Sequence, residues 1–223
     1  MTAVHVPGPT RRRTAGLWWL ALTALAIAVF APLPYLTHSL TQLADDNGEL
    51  AANYAYRPHW VQAFLYTHIV AAGLALLLSP AQLSTRLRAR APRLHRGTGR
   101  VVLACITVGG IAGLVIAPVN LAGRIGTAGF GMLAVLWVTC AFLGLRTIRR
   151  GAIAEHRRWM YRAFAFTYAA VTLRLWLVVL TPLTGDFDRA YKIVPFLCWV
   201  PNLIVVELVL RSHRHPKIIP HVT

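Results

Sequence analysis

The chain has 223 residues, 57% apolar and 13% charged, with 23 basic residues against 7 acidic ones and a formal charge of +16. An ordinary soluble domain carries about a quarter charged residues, so these few could not coat a soluble particle of this size. Nor does the positive excess point to nucleic acid. The basic residues sit in short segments between apolar runs, and no aromatic residues interleave with them to stack bases. The charge reads as membrane topology, with contact to anionic headgroups on the cytoplasmic side as a second consequence.

A helix that crosses a bilayer needs about 20 predominantly apolar residues, and six such runs follow one another along the chain. The first, Leu17 to Leu36, comes after Arg11, Arg12 and Arg13 and contains Pro32 and Pro34. Arginines before an apolar stretch also describe a secretory signal peptide. This run is long for one, and the prolines make a poor cleavage context, so it is expected to stay as the first span. The others run from Trp60 to Leu83, Val101 to Val119, Gly126 to Leu145, Trp159 to Leu180 and Ile193 to Leu210, with Pro58, Pro92, Pro118, Gly151, Pro182 and Gly185 in the breaks. The expected fold is an all-α integral membrane bundle of about six transmembrane helices. Residues 1–16 form a basic cytoplasmic tail, 17–212 the transmembrane domain and 213–223 a second cytoplasmic tail. No internal repeat supports an inverted-repeat transporter, and homo-oligomers are compatible with the pattern.

Orientation follows from the alternate connections. One set holds eighteen positive residues: Arg11 to Arg13, the arginines from 86 to 100, those from 146 to 162, and Arg211, Arg214 and Lys217. The other set holds Arg57, Arg124, Arg189 and Lys192, together with Asp45, Asp46, Glu49, Asp186 and Asp188. This asymmetry predicts that both termini lie in the cytoplasm, at the cell membrane.

Ionisable side chains inside a bilayer cost a few kcal/mol each and are functional-site candidates by default. His68, on the second helix, and Arg174, on the fifth, both lie roughly 9 to 12 Å inside the outer end at 1.5 Å per residue. Two such groups cannot neutralise each other. If they face one cavity they want an acceptor between them, such as a carboxylate, a quinone carbonyl or a cofactor propionate. Otherwise Arg174 bonds helix-end carbonyls or one of Asp186 and Asp188, and His68 bonds a neighbouring helix. Glu207 lies near the cytoplasmic face, where Arg162 is the matched partner for a structural ion pair.

His95 and His156 stand at the cytoplasmic starts of the third and fifth helices. Imidazole is a good axial ligand for haem iron, and facing helices commonly supply two. The alternative is that each bonds lipid phosphate. Cys105, Cys140 and Cys198 lie in apolar runs without CxxC spacing, which suggests neither disulfides nor zinc. Gly109 and Gly113 form a small-xxx-small pair expected to mark close helix packing. Gly97-Thr98-Gly99-Arg100 has no preceding strand to make it a phosphate loop. No nucleophile-base set, carboxylate metal cluster or nucleotide loop supports a hydrolase, kinase or ATPase.

The residues from His68 through Gly73, Pro80 and Gln82 to Leu94-His95-Arg96-Gly97 and Gly99-Arg100-Val101, then Trp137, His156-Arg157-Arg158-Trp159-Met160 and Arg174, resemble the bacterial predicted membrane proteins of domain-of-unknown-function family 2306. The resemblance covers roughly residues 60 to 180 and implies a membrane protein without naming an activity. More distantly, the chain resembles transmembrane b-type cytochromes of the ascorbate-dependent ferric reductase kind. In those, histidines on helices two and four hold one haem and those on three and five another. That likeness implies haem b between His95 and His156. The fourth helix here, Gly126 to Leu145, has no histidine, so the outer haem lacks a ligand and His68 needs another role, with Arg174 at a quinone or substrate site. Three readings stand: a haem-binding electron-transfer protein, a haem-free transport or small-molecule-binding protein built on the His68 and Arg174 cavity, and a scaffold or assembly subunit.

Overall fold

The computed structural model describes residues 11–46 and 48–212, with side chains from Ala15 onward. The tail assigned to 213–223 and most of the one assigned to 1–16 lie outside the described residues. Among these residues the chain is helical throughout, without strands: α1 (Arg11–Phe30), α2 (Leu33–Thr37), α3 (Leu40–Asp45), α4 (Glu49–Ala55), α5 (His59–Leu83), α6 (Thr85–Arg90), α7 (Pro92–Ile116), α8 (Gly123–Arg149), α9 (Ile153–Thr167), α10 (Ala169–Thr184), α11 (Phe187–Leu197) and α12 (Val200–Ser212). Six stretches are long and apolar enough to cross a membrane: Ala15–Thr37, His59–Leu83, Pro92–Val119, Gly123–Arg149, Ile153–Thr184 and Phe187–Ser212.

These spans reach past the apolar runs. The third begins nine residues before Val101, because a helix satisfies its own backbone and the arginines on its first turns extend their stems toward water. Pro92 sits in the first turn of α7, where its missing N–H has no helical partner to lose. Likewise α1 begins at Arg11, inside the segment assigned to the tail.

Two spans are broken within the membrane. In the sixth, a two-residue turn at Cys198 and Trp199 separates α11 from α12. Pro201 has no N–H for the Leu197 carbonyl and its ring crowds that carbonyl, which ends α11 there. Trp199 Nε1 bonds the Pro195 carbonyl at 2.8 Å, the acceptor being supplied by the deformed turn. The fifth span turns at Tyr168, between α9 and α10. Side chains tie the two breaks together: Thr172 Oγ1 donates to the Cys198 carbonyl, and Asn202 Nδ2 reaches the Ala165 carbonyl at 3.2 Å and Thr172 Oγ1 at 3.1 Å.

The main core lies between the second to sixth spans, around Ile106, Trp137, Phe166 and Trp199, with Trp137 Nε1 donating to Thr167 Oγ1 at 2.9 Å. Cys140 and Cys198 are buried, Cys105 is half-buried, and all three are free. A second cluster packs α3 and α4 over the ends of α5 and α7 through Leu40, Tyr54, Val61 and Ile116. The first span is the least enclosed, with 6% of its apolar window buried against 39% in the third and fourth. Its inner contact is Ala24 on Leu76 and Val171, and Thr23 Oγ1 meets the Tyr168 hydroxyl at 2.7 Å.

Candidate functional site

A cavity of about 250 Å³ lies at the centre of the bundle and takes wall residues from all six spans and from α4. Both His68 and Arg174 line it. Most of the wall is apolar, including Ile27, Leu65, Leu76, Leu133 and Phe166, and no Asp or Glu is part of it among the described residues.

His68 is fixed by its neighbour α7. Its Nδ1 lies 2.8 Å from the Gly109 carbonyl oxygen. A carbonyl only accepts, so Nδ1 carries the proton, and in the neutral form of the ring Nε2 is then the acceptor. The ring needs Gly113 opposite it, since a Cβ there would come within 2.9 Å of His68 Nδ1. Gly109 allows the helices to approach, with its missing Cβ only 3.2 Å from the Ala72 nitrogen. The small-residue pair thus sets the packing and also seats the imidazole.

Arg174 has a single hydrogen bond among the described residues, from Nη1 to the Ala170 carbonyl one turn back, at 2.9 Å. Neither acid nominated for it is its partner: Asp186 caps α11 and meets Arg189 at 3.8 Å, while Asp188 pairs with Lys192. The remaining guanidinium donors stand in a cavity wall that also holds three tyrosines, Tyr35 on α2, Tyr54 on α4 and Tyr191 on α11. Tyr35 and Tyr191 lie within electrostatic range of Arg174, and Tyr54 within range of both tyrosines. Tyr54 and Tyr191 are 8% and 9% exposed. None of the three hydroxyls bonds a described residue. Burial pushes the Tyr54 phenol up to about 12, so it remains a protonated donor at ordinary pH. The other polar wall groups are committed: Asn120 bonds the Ala122 nitrogen and the Ala117 and Gly123 carbonyls, and Thr167 serves Trp137 and Ala163.

The tyrosines escaped notice in the sequence, being far apart and resembling interfacial aromatics. Their one signal is position: each lies near the acid-bearing end, at the level reached by Arg174.

At the opposite end, Arg162 Nε and Nη2 both donate to the Glu207 carboxylate, and the guanidinium stacks 4.8 Å from the Trp159 ring. His95 and His156 stand within electrostatic range of each other, and neither lines the cavity. His156 Nδ1 donates to the Gly144 carbonyl at 2.8 Å. His95 Nδ1 is buried with no partner among the described residues. No group of three or more metal-ligating side chains occurs among them. Gly97 to Arg100 is part of α7, where Gln82 of α5 bonds Thr98 at 2.6 Å, so the stretch is a helix contact and no phosphate loop.

The model of a family of predicted membrane proteins, DUF2306, matches residues 65–210. The chain belongs to that family. The DUF2306 match takes in His68, His95, His156, Arg174 and Tyr191 and stops short of Tyr35 and Tyr54, so the wall built by α2 and α4 lies outside it. No curated protein and no solved structure matches the chain.

Proposed function

We propose that this multi-pass membrane protein binds or transports a small, mainly apolar molecule whose hydrogen-bond-accepting head is taken up beside Arg174. The carrying observation is the state of that guanidinium. It lies inside the bundle, is bonded among the described residues only to its own helix, and faces a cavity where three phenol hydroxyls also lack partners among those residues. Unpaired buried donors cost free energy, and an acceptor ligand removes that cost. The broken fifth and sixth spans support the reading, because irregular backbone at membrane depth is tolerated where it is packed in protein or lines a cavity. Thr167, Ala169, Ala170 and Cys198, at the two breaks, are wall residues. The arginine-rich connections face the cytoplasm and its anionic headgroups, which puts the cavity in the extracytoplasmic half.

The test is ligand-dependent thermal stabilisation of detergent-purified protein, screened with short quinones, carboxylates and their neutral analogues. A stabilising ligand whose effect vanishes in Arg174→Ala supports the reading. Equal stabilisation of wild type and variant by every compound refutes it.

A second reading concerns the opposite end and is favoured by the unpartnered His95 Nδ1. His95 and His156 would there hold haem b through their imidazoles, with His156 oriented by the Gly144 carbonyl as ligating histidines commonly are. Bound haem supplies one-electron redox chemistry. A Soret band in the purified protein that is lost in His156→Ala supports it, and a colourless preparation from haem-replete cells counts against it.

A further inference from the structure

We infer that the cavity ligand is a lipophilic monocarboxylate of roughly ten non-hydrogen atoms. The inference rests on the binding reading above and specifies its ligand class.

The first argument is charge. Arg174 is the one Lys, Arg, Asp or Glu among the described residues of the wall, and Asp186 and Asp188, the acids on the connection after α10, already have basic partners. A lone cation in a low-dielectric interior is compensated by one negative charge. A neutral quinone leaves it uncompensated, and a doubly charged phosphate overshoots it.

The second is donor geometry. A carboxylate has two oxygens with about four lone-pair positions. The planar guanidinium presents a bidentate fork that fits both oxygens, and the phenols of Tyr35, Tyr54 and Tyr191 supply the other donors. His68 takes a different part. With Nδ1 committed to Gly109, the neutral form of the ring has only an acceptor, Nε2, left to offer, which suits the body of the ligand or a water, and the carboxylate goes to Arg174 and the tyrosines.

The third is size. Apolar protein cavities of about 150 Å³ hold benzene, with six heavy atoms. At that ratio, about 250 Å³ holds roughly ten. The wall beyond the polar cluster, with Ile27, Ile69, Leu76, Leu133 and Phe166, suits an alkyl chain or one ring.

The probes are octanoate and phenylacetate, with octanamide, phenylacetamide and a short benzoquinone as neutral counterparts. Binding to the full chain in detergent and in lipid nanodiscs is read by thermal shift and by quenching of tryptophan emission. The expected result is at least tenfold tighter binding of each acid than of its amide. Arg174→Gln abolishes that preference, and Arg174→Lys keeps part of it. Because an Arg174 variant could misfold, Tyr54→Phe and Tyr191→Phe serve as shape-preserving tests, each lowering octanoate affinity several-fold. Equal affinity for acids and amides, or a preference for the quinone, overturns the carboxylate while leaving the binding reading intact. Acid responses of one size in wild type and all variants amount to partition into the micelle and overturn it too. If no probe binds, both readings fall.

Discussion

His68 and His156 are held by one device in two regions of the bundle. Each donates Nδ1–H to a glycine carbonyl on a neighbouring helix at 2.8 Å. Around His68 the missing glycine side chains leave room for the imidazole, and beyond the ring lies an open cavity with an unmatched guanidinium. Around His156 the space above Gly144 is filled by the Met160 methyl, and the guanidinium of Arg162, on the same helix, is bound by Glu207 from two nitrogens. The hydrogen bond therefore does not distinguish a binding site from a packing joint. Leftover polar capacity and leftover volume do, and of the two only the region around His68 has both.

Substitutions can separate the regions. The largest effect is expected at a joint that serves the fold alone: a Cβ on Gly129 would lie 2.6 Å from Pro195 Cβ and 2.8 Å from its backbone. Gly129→Val should cost about 3 kcal/mol by overpacking, seen as a lowered thermal midpoint in detergent. Gly113→Ala presses on the His68 ring and should break its bond to Gly109, at about 2 kcal/mol. It should also weaken the ligand response, measured as the shift at saturating ligand; an unchanged shift would detach His68 from the site. His156→Ala should cost about 1 kcal/mol and leave the ligand response untouched. A lost response there would erase the distinction drawn between the two histidines. The smallest effect concerns pH. The folded pKa of Tyr54 is raised from 10.0 to about 12, so its contribution is complete below pH 10 and is lost as pH rises toward 12. Wild type should therefore lose about 1 kcal/mol relative to Tyr54→Phe at pH 11, read from paired unfolding curves. Parallel curves would mean that the phenol is solvated.

Much of the fold is legible without coordinates, because an apolar run of span length has few other places to go. The bounds are less so. Residues 92–100 carry three arginines, and hydropathy therefore places them outside the span although the helix runs through them. The sixth apolar run, Ile193 to Leu210, reads as continuous although Pro201 breaks it, and nothing local says that the break meets the turn in the fifth span through Thr172 and Asn202. The candidate site divides in the same way. His68 and Arg174 stand out as ionisable groups in apolar surroundings, whereas Tyr35, Tyr54 and Tyr191 are unremarkable residue by residue.

Composition and the order of charges were sufficient for a six-span helical membrane protein, since the cost of burying charge and bare backbone in lipid acts on each segment separately. Tertiary structure alone decided that one guanidinium keeps free donors in a cavity wall shared with three phenols while another is neutralised by a carboxylate. That depends on which side chains from distant segments reach the same point, and on which glycines leave room for them.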